Sequence, residues 1–197
     1  MGKKSNTAAE PLLQIDRRAR RAFKPYRKTA PIKALRWFGQ AGDQLQLRVL
    51  CGGLLAAGVL RRDPRMAGAA VRMLVSHEAA TLAKKAVKNR VDRVRPHSAD
   101  ANQVEPRKGS SKAKVLNSFP SGHSAGAMAV SCAFAAQYPE YRAPALIAGG
   151  AVCAAQVPTC SHYPSDVIAG AVIGIATDTV VGALWRLVRL IWQHRPG

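Results

Sequence analysis

His162 and Asp166 stand four residues apart in HYPSD, where polar chain gives way to an apolar run. A carboxylate on one imidazole nitrogen fixes the tautomer, leaves the other nitrogen free to attack, and stabilises the cation that emerges. A loop histidine beside a helix-capping aspartate would account for the pair taken alone, but two further motifs share its chemistry. PSGH, Pro120 to His123, opens another apolar run. Ser121 can cap a helix there, Gly122 lets a ligand approach the backbone, and the free N–H groups of a helix start attract anions. KNRVDRVRP carries Lys88 and Arg95 seven residues apart, two helical turns, so that one face could present a point charge and a planar fork. Fixed cations and amide donors are what a phosphoryl group needs around its oxygens. His123 has no acid near it in sequence and is the better group to carry a proton to a leaving oxygen. A metal held by His123, His162 and Asp166 is the competing reading. The dense ligand spacing of an HExxH-type site is absent, and Lys88 and Arg95 would crowd a metal with like charge. Neither a metal nor a cofactor is therefore expected.

All three motifs fall at the ends of apolar segments. Residues 45–60, 66–83, 122–138, 143–158 and 167–192 are rich in Ala, Gly, Val, Leu and Ile, and read as an all-α integral membrane bundle of about five spans. A sixth within residues 28–44 would invert the topology. Several runs are shorter than the ~20 residues a span prefers, but Gly and Ala suit closely packed helices, and GAVIG (170–174) fits such packing. Arg72, His77, Glu78 and Asp178 interrupt the apolar runs and need partners inside the bundle. If the spans alternate, the three motifs emerge on one face. Residues 98–118 read as a polar loop between them. The expected organisation is a basic leader over 1–44, surface-lying or disordered, and a transmembrane domain over 45–197.

The chain of 197 residues is 48% hydrophobic yet carries 30 Lys and Arg against 11 Asp and Glu, a net charge of +19. Such an excess points to polyanionic company. Eleven of the cations lie between Lys3 and Arg36 and ten between Lys84 and Lys114. A nucleic-acid binder would not need the long apolar runs, and no RNA-recognition, helix-turn-helix or zinc-finger pattern is present, so nucleic acid is not an expected partner. Anionic membrane lipid is, against the leader. The positive-inside rule then places leader and motifs in the cytoplasm of a bacterial inner membrane. Cys51, Cys132, Cys153 and Cys160 form no CxxC and read as reduced, buried small hydrophobes.

The ordered motifs resemble those of the PAP2 (type 2 phosphatidic acid phosphatase) superfamily, K-x6-RP, PSGH and SR-x5-H-x3-D, in a compact, bacterial-type membrane lipid phosphatase. The resemblance spans residues 88–166 and the helices around them. It implies a PAP2-like helical core and a metal-independent phosphatase. His162 would form a phosphohistidine, Asp166 would hold His162, and His123 would protonate the leaving group. Lys88, Arg95, Ser121 and Gly122 would hold phosphate oxygens. In the third motif the family's SR falls on Ala155 and Gln156, so a phosphate-binding arginine becomes a glutamine, whose neutral hydrogen bonds are weaker. A lipid-phosphate-binding pseudoenzyme is the alternative this departure raises. The implied substrate is a lipid-linked phosphomonoester or diphosphate: a prenyl phosphate, a prenyl-linked sugar phosphate, phosphatidic acid or phosphatidylglycerophosphate.

Overall fold

The computed structural model describes residues 10–99, 103–111 and 113–193. The first nine and last four residues of the expected leader and domain lie outside it, as do residues 100–102 and 112 of the expected loop. The described residues form seven α-helices: α1 (Glu10–Phe23), α2 (Ala30–Gly39), α3 (Gln44–Leu60), α4 (Pro64–Lys88), α5 (Gly122–Gln137), α6 (Arg142–Ala155) and α7 (Pro164–Gln193). The last five match the five apolar segments closely. A two-residue antiparallel ladder of β1 (Val91–Asp92) and β2 (Arg107–Lys108) ties the α4–α5 connection back on itself.

Helix starts follow local chemistry. Asp63 caps α4 by accepting from Met66 N, and Ser121 caps α5 by accepting from Ser124 N. Each side chain satisfies an amide that has no partner within its own helix.

α5 is the central helix, packed against α4, α6 and α7, while α3 lies along α4. Its buried positions are almost all small: Ser124, Ala125, Gly126, Ala127, Ala129, Val130, Ala133 and Ala135. Two glycines of the GAVIG stretch complete the approach from α7. A Cβ on Gly170 would run into the Ser121 carbonyl, and one on Gly174 into the Ala125 carbonyl. Backbones brought this close gain dispersion contacts along their whole length, the usual way helices associate when water supplies no drive.

Arg72, Asp178 and Glu78 find partners, while both ring nitrogens of the buried His77 are left without a hydrogen bond. Arg72 on α4 pairs with Asp178 on α7 at 3.0 Å, and Ser76 Oγ donates to the same carboxylate at 2.9 Å. Glu78 takes both ends of the Arg48 guanidinium from α3, and His77 Nε2 lies 3.9 Å from Glu78. The outer faces are apolar: Leu45, Val49, Leu50, Val59 and Leu60 on α3, and Ile168, Val172, Val180, Leu184 and Leu187 on α7, are all exposed. Among the described residues, one helix stretch, Pro164–Val188, is long and apolar enough to cross a membrane, and Gln44–Leu60 is a shorter apolar helix.

Residues 10–39 are bound to the rest. Asp16 of α1 is 1% exposed. Arg20 donates to the carbonyls of Pro96 and Ala99, and Lys24 donates to Ala99 as well. Leu12 and Ile15 face outward.

Gly174→Ala is expected to destabilise the bundle by about 1–3 kcal/mol, because the added methyl meets backbone that cannot yield. Gly150→Ala, where a Cβ meets nothing within 4 Å, serves as the matched control. Thermal or denaturant unfolding in detergent should separate the two variants clearly.

Candidate active site

Five pieces of chain converge on one cavity of about 410 Å³. The C-terminal half of α4 brings Lys84 and Lys88, and the connection beyond it brings Arg95. The first turn of α5 brings Gly122 and His123, the α6–α7 loop brings His162, and the start of α3 brings Gly42 to Gln46. The ring centroids of His123 and His162 are 6.2 Å apart, edge to face. Lys88, Arg95, Gly122, His123 and His162, singled out by motif, all line this space.

His162 is 1% exposed, and its Nδ1 lies 2.7 Å from the backbone carbonyl of Ser118. A carbonyl can only accept, so Nδ1 carries the proton and Nε2 is the basic nitrogen. Asp166 Oδ2 lies 3.7 Å from the same Nδ1, beyond hydrogen-bond distance. Its oxygens instead accept from Ser118 Oγ at 2.6 Å, Tyr163 N at 2.9 Å and Arg93 at 2.5 Å. Asp166 thus fixes the segment that fixes the histidine, and acts on the ring through space. Burial pushes the His162 pKa down to about 4; Arg95 and Lys88 add to this and the Asp166 carboxylate opposes it. The imidazole is neutral at pH 7, the form a nucleophile requires.

His123 has an acid after all. Asp43, at the start of α3, sits with Oδ1 at 2.9 Å from His123 Nε2. The two residues are eighty positions apart, so no local pattern could pair them. Lys84 is also new to the site. It lies one turn before Lys88 on α4, and a Cβ on Gly122 would stand 2.7 Å from its ammonium nitrogen. The absence of a side chain at Gly122 leaves the lysine end room beside the start of α5.

Two motif residues turn elsewhere. Ser121 is fully buried, and its hydroxyl is engaged in capping by Ser124 N and Ser124 Oγ. Its amide donates to the Asp166 carbonyl at 3.0 Å. Gln156 is 3% exposed, with Nε2 donating to the carbonyls of Gly39 and Val152. Its own carbonyl accepts from the amides of Ser161 and His162. Both residues brace the walls of the cavity rather than lining it.

Residues 69–189 match the family model described as PAP2 superfamily. The chain belongs to the PAP2 superfamily. Curated relatives include the Lipid A 1-phosphatase of Rhizobium johnstonii (strain DSM 114642 / LMG 32736 / 3841), 35% identical over 113 residues that make up 56% of this chain and 45% of that one. The Lipid A 1-phosphatase of Rhizobium etli is 36% identical over 82 residues, 42% of this chain and 35% of its own. The chain spans less than half the length of these relatives. The PAP2 fold itself is shared with the first transmembrane PAP2 type phosphatidylglycerolphosphate phosphatase from Bacillus subtilis. That crystal structure is 19% identical, with a TM-score of 0.67 over 93% of this chain and 89% of the other.

With His162 isotopically labelled, NMR in detergent should show the Nδ1–H tautomer at pH 7 and a titration midpoint near 4. A midpoint at or above the usual histidine range would contradict the buried, carbonyl-anchored geometry.

Proposed function

We propose that this PAP2 chain is a membrane phosphatase that hydrolyses a lipid-linked phosphomonoester or diphosphate through a phosphohistidine. The observation that carries this reading is the His162 ring, with its basic nitrogen left free on a cavity shared with His123 and three cations. Nε2 of His162 attacks phosphorus while Lys84, Lys88 and Arg95 take up charge on the non-reacting oxygens. His123 gives a proton to the departing oxygen and then takes one from the water that cleaves the phosphorus–nitrogen bond, releasing phosphate. No step requires a metal.

The lipid part of the proposal draws on the surroundings. An apolar groove of about 480 Å³, lined by Trp37, Phe38, Ala41 and Leu50, adjoins the cavity and shares Gln46 with it. A chain lying there would leave its headgroup among the cations. The apolar outer faces of α3 and α7 favour a bundle in which α3 to α7 cross the bilayer and α1 and α2 lie along its surface. Relatives named for lipid A and phosphatidylglycerophosphate bring both classes into the substrate panel beside phosphatidic acid and prenyl phosphates.

Purified protein in detergent with EDTA should release phosphate from at least one of these lipids, and His162→Ala should lose at least ~10³-fold in kcat. Activity that survives His162→Ala, or that EDTA abolishes, would sink the proposed chemistry. Gln156 favours a second reading, lipid-phosphate binding without turnover, since the family's arginine is replaced by an amide bonded away from the cavity. Saturable lipid binding with no release from any substrate would establish it.

The sidedness proposed is cytoplasmic, on the charge bias of the leader and the motif face. A Lys108→Cys variant places a thiol at an exposed position of the α4–α5 connection, which also carries Arg95. It should resist an impermeant maleimide in intact cells and react after permeabilisation; labelling in intact cells would reverse the topology.

A further inference from the structure

The proposed mechanism leaves unused a buried carboxylate close to Asp166. Asp16 projects from α1, outside the segment that matches the PAP2 family, into the floor beneath His162. Its Oδ2 receives Arg93 Nη2 at 2.6 Å and Ser165 Oγ at 2.5 Å, and its Oδ1 receives Ser165 N at 3.1 Å. The same guanidinium sends Nη1 to Asp166 Oδ1 at 2.5 Å and to Ser165 Oγ at 2.7 Å, and Nε to the Val104 carbonyl at 2.9 Å. The Tyr163 ring covers its face at 4.2 Å. Arg93 is 2% exposed, Asp16 1% and Asp166 0%.

The charges of this trio do not cancel. A lone Arg93–Asp166 pair would be neutral overall and would act on the ring above it only as a dipole. With Asp16 added, one guanidinium is shared by two carboxylates and the cluster carries one net negative charge. That charge lies 3.7 Å from His162 through Asp166, where positive charge develops as the ring attacks phosphorus. In a site from which water is largely excluded such a charge is screened less than it would be in solvent.

We propose that Asp16 is a positioning residue of the reaction: by sharing Arg93 with Asp166 it keeps a net negative charge beneath His162, which makes α1 part of the catalytic apparatus. This rests on the phosphatase reading above. Asp16 does not touch the phosphate-binding cations of the cavity, so its effect belongs to the chemical step and not to substrate capture.

The test compares wild type, Asp16→Asn, Arg93→Gln and the Asp16→Asn/Arg93→Gln double variant, on the lipid phosphate that the wild type hydrolyses, with folding followed by thermal melting. Asp16→Asn leaves a neutral Arg93–Asp166 pair, and should lower kcat about 10- to 100-fold with little change in KM, the range typical of residues that support a first-contact group. Adding Arg93→Gln leaves Asp166 as the only charge and so restores the net negative charge. The double variant should recover kcat several-fold over Asp16→Asn. A merely structural role predicts the opposite, a double variant no better than the worse single one.

Undiminished kcat in Asp16→Asn, or no recovery in the double variant, overturns the inference. Should Asp16→Asn fail to fold, the double variant is compared directly with wild type: kcat within about 10-fold supports the proposal, and a loss as complete as that of His162→Ala defeats it. No release by the wild type would sink both this inference and the phosphatase reading. Release by the wild type with full activity in Asp16→Asn sinks this one alone.

Discussion

The Asp166 carboxylate is wholly withdrawn from solvent, and an ionised carboxylate can remain there only if its oxygens are met by donors and its charge is answered. Much of the architecture around the site follows from that demand. Ser118, Tyr163 N and Arg93 supply the donors. Ser118 in turn presents its carbonyl to His162, and Arg93 reaches on to Asp16. Meeting one buried charge therefore ties the α4–α5 connection, the α6–α7 loop, the first turn of α7 and the amino-terminal helix into a single rigid floor. The backbone of Ser121, donating to the Asp166 carbonyl, adds the start of α5 to the same knot.

Above this floor the balance of charge reverses. Lys84, Lys88 and Arg95 share a cavity whose one lining carboxylate, among the described residues, is Asp43. Like charges gathered in a partly dry space repel one another, and the fold bears that cost in the absence of an anion. On the proposed function, an anionic headgroup would relieve that repulsion, while the tight α5–α7 packing keeps the walls from relaxing outward to reduce it.

How much of this was legible in the sequence depended on distance along the chain. The five core helices were visible because each is a continuous apolar run, and the α5 start because Ser121 caps locally. His162, His123, Lys88, Arg95 and Gly122 meet in one cavity as their motifs suggested. Asp43, Asp16 and Arg93 were not legible, because each acts across a gap that only tertiary folding closes. Arg93 was hidden in plain view, two residues before Arg95 in a run of cations that looked alike. A usable signal did exist: with so few acids in so basic a chain, each buried carboxylate was bound to matter. Gln156 shows the converse. Its position in the motif was plain, but its side-chain direction was not, since an amide at the end of α6 found nearer backbone partners. Ser121 took the capping role its sequence offered and not the phosphate contact that the resemblance implied.

The docking of α1 has a consequence for how the protein is made. Asp16 finds its partners at Arg93 and Ser165, and Arg20 and Lys24 find theirs at Pro96 and Ala99. α1 thus leaves the ribosome well before it can reach its place, because residues needed to receive it are synthesised some 150 positions later. Contacts of such long sequence separation form late and close slowly. On the proposed membrane reading, the cationic, half-apolar helix would meet the face of the membrane during that interval.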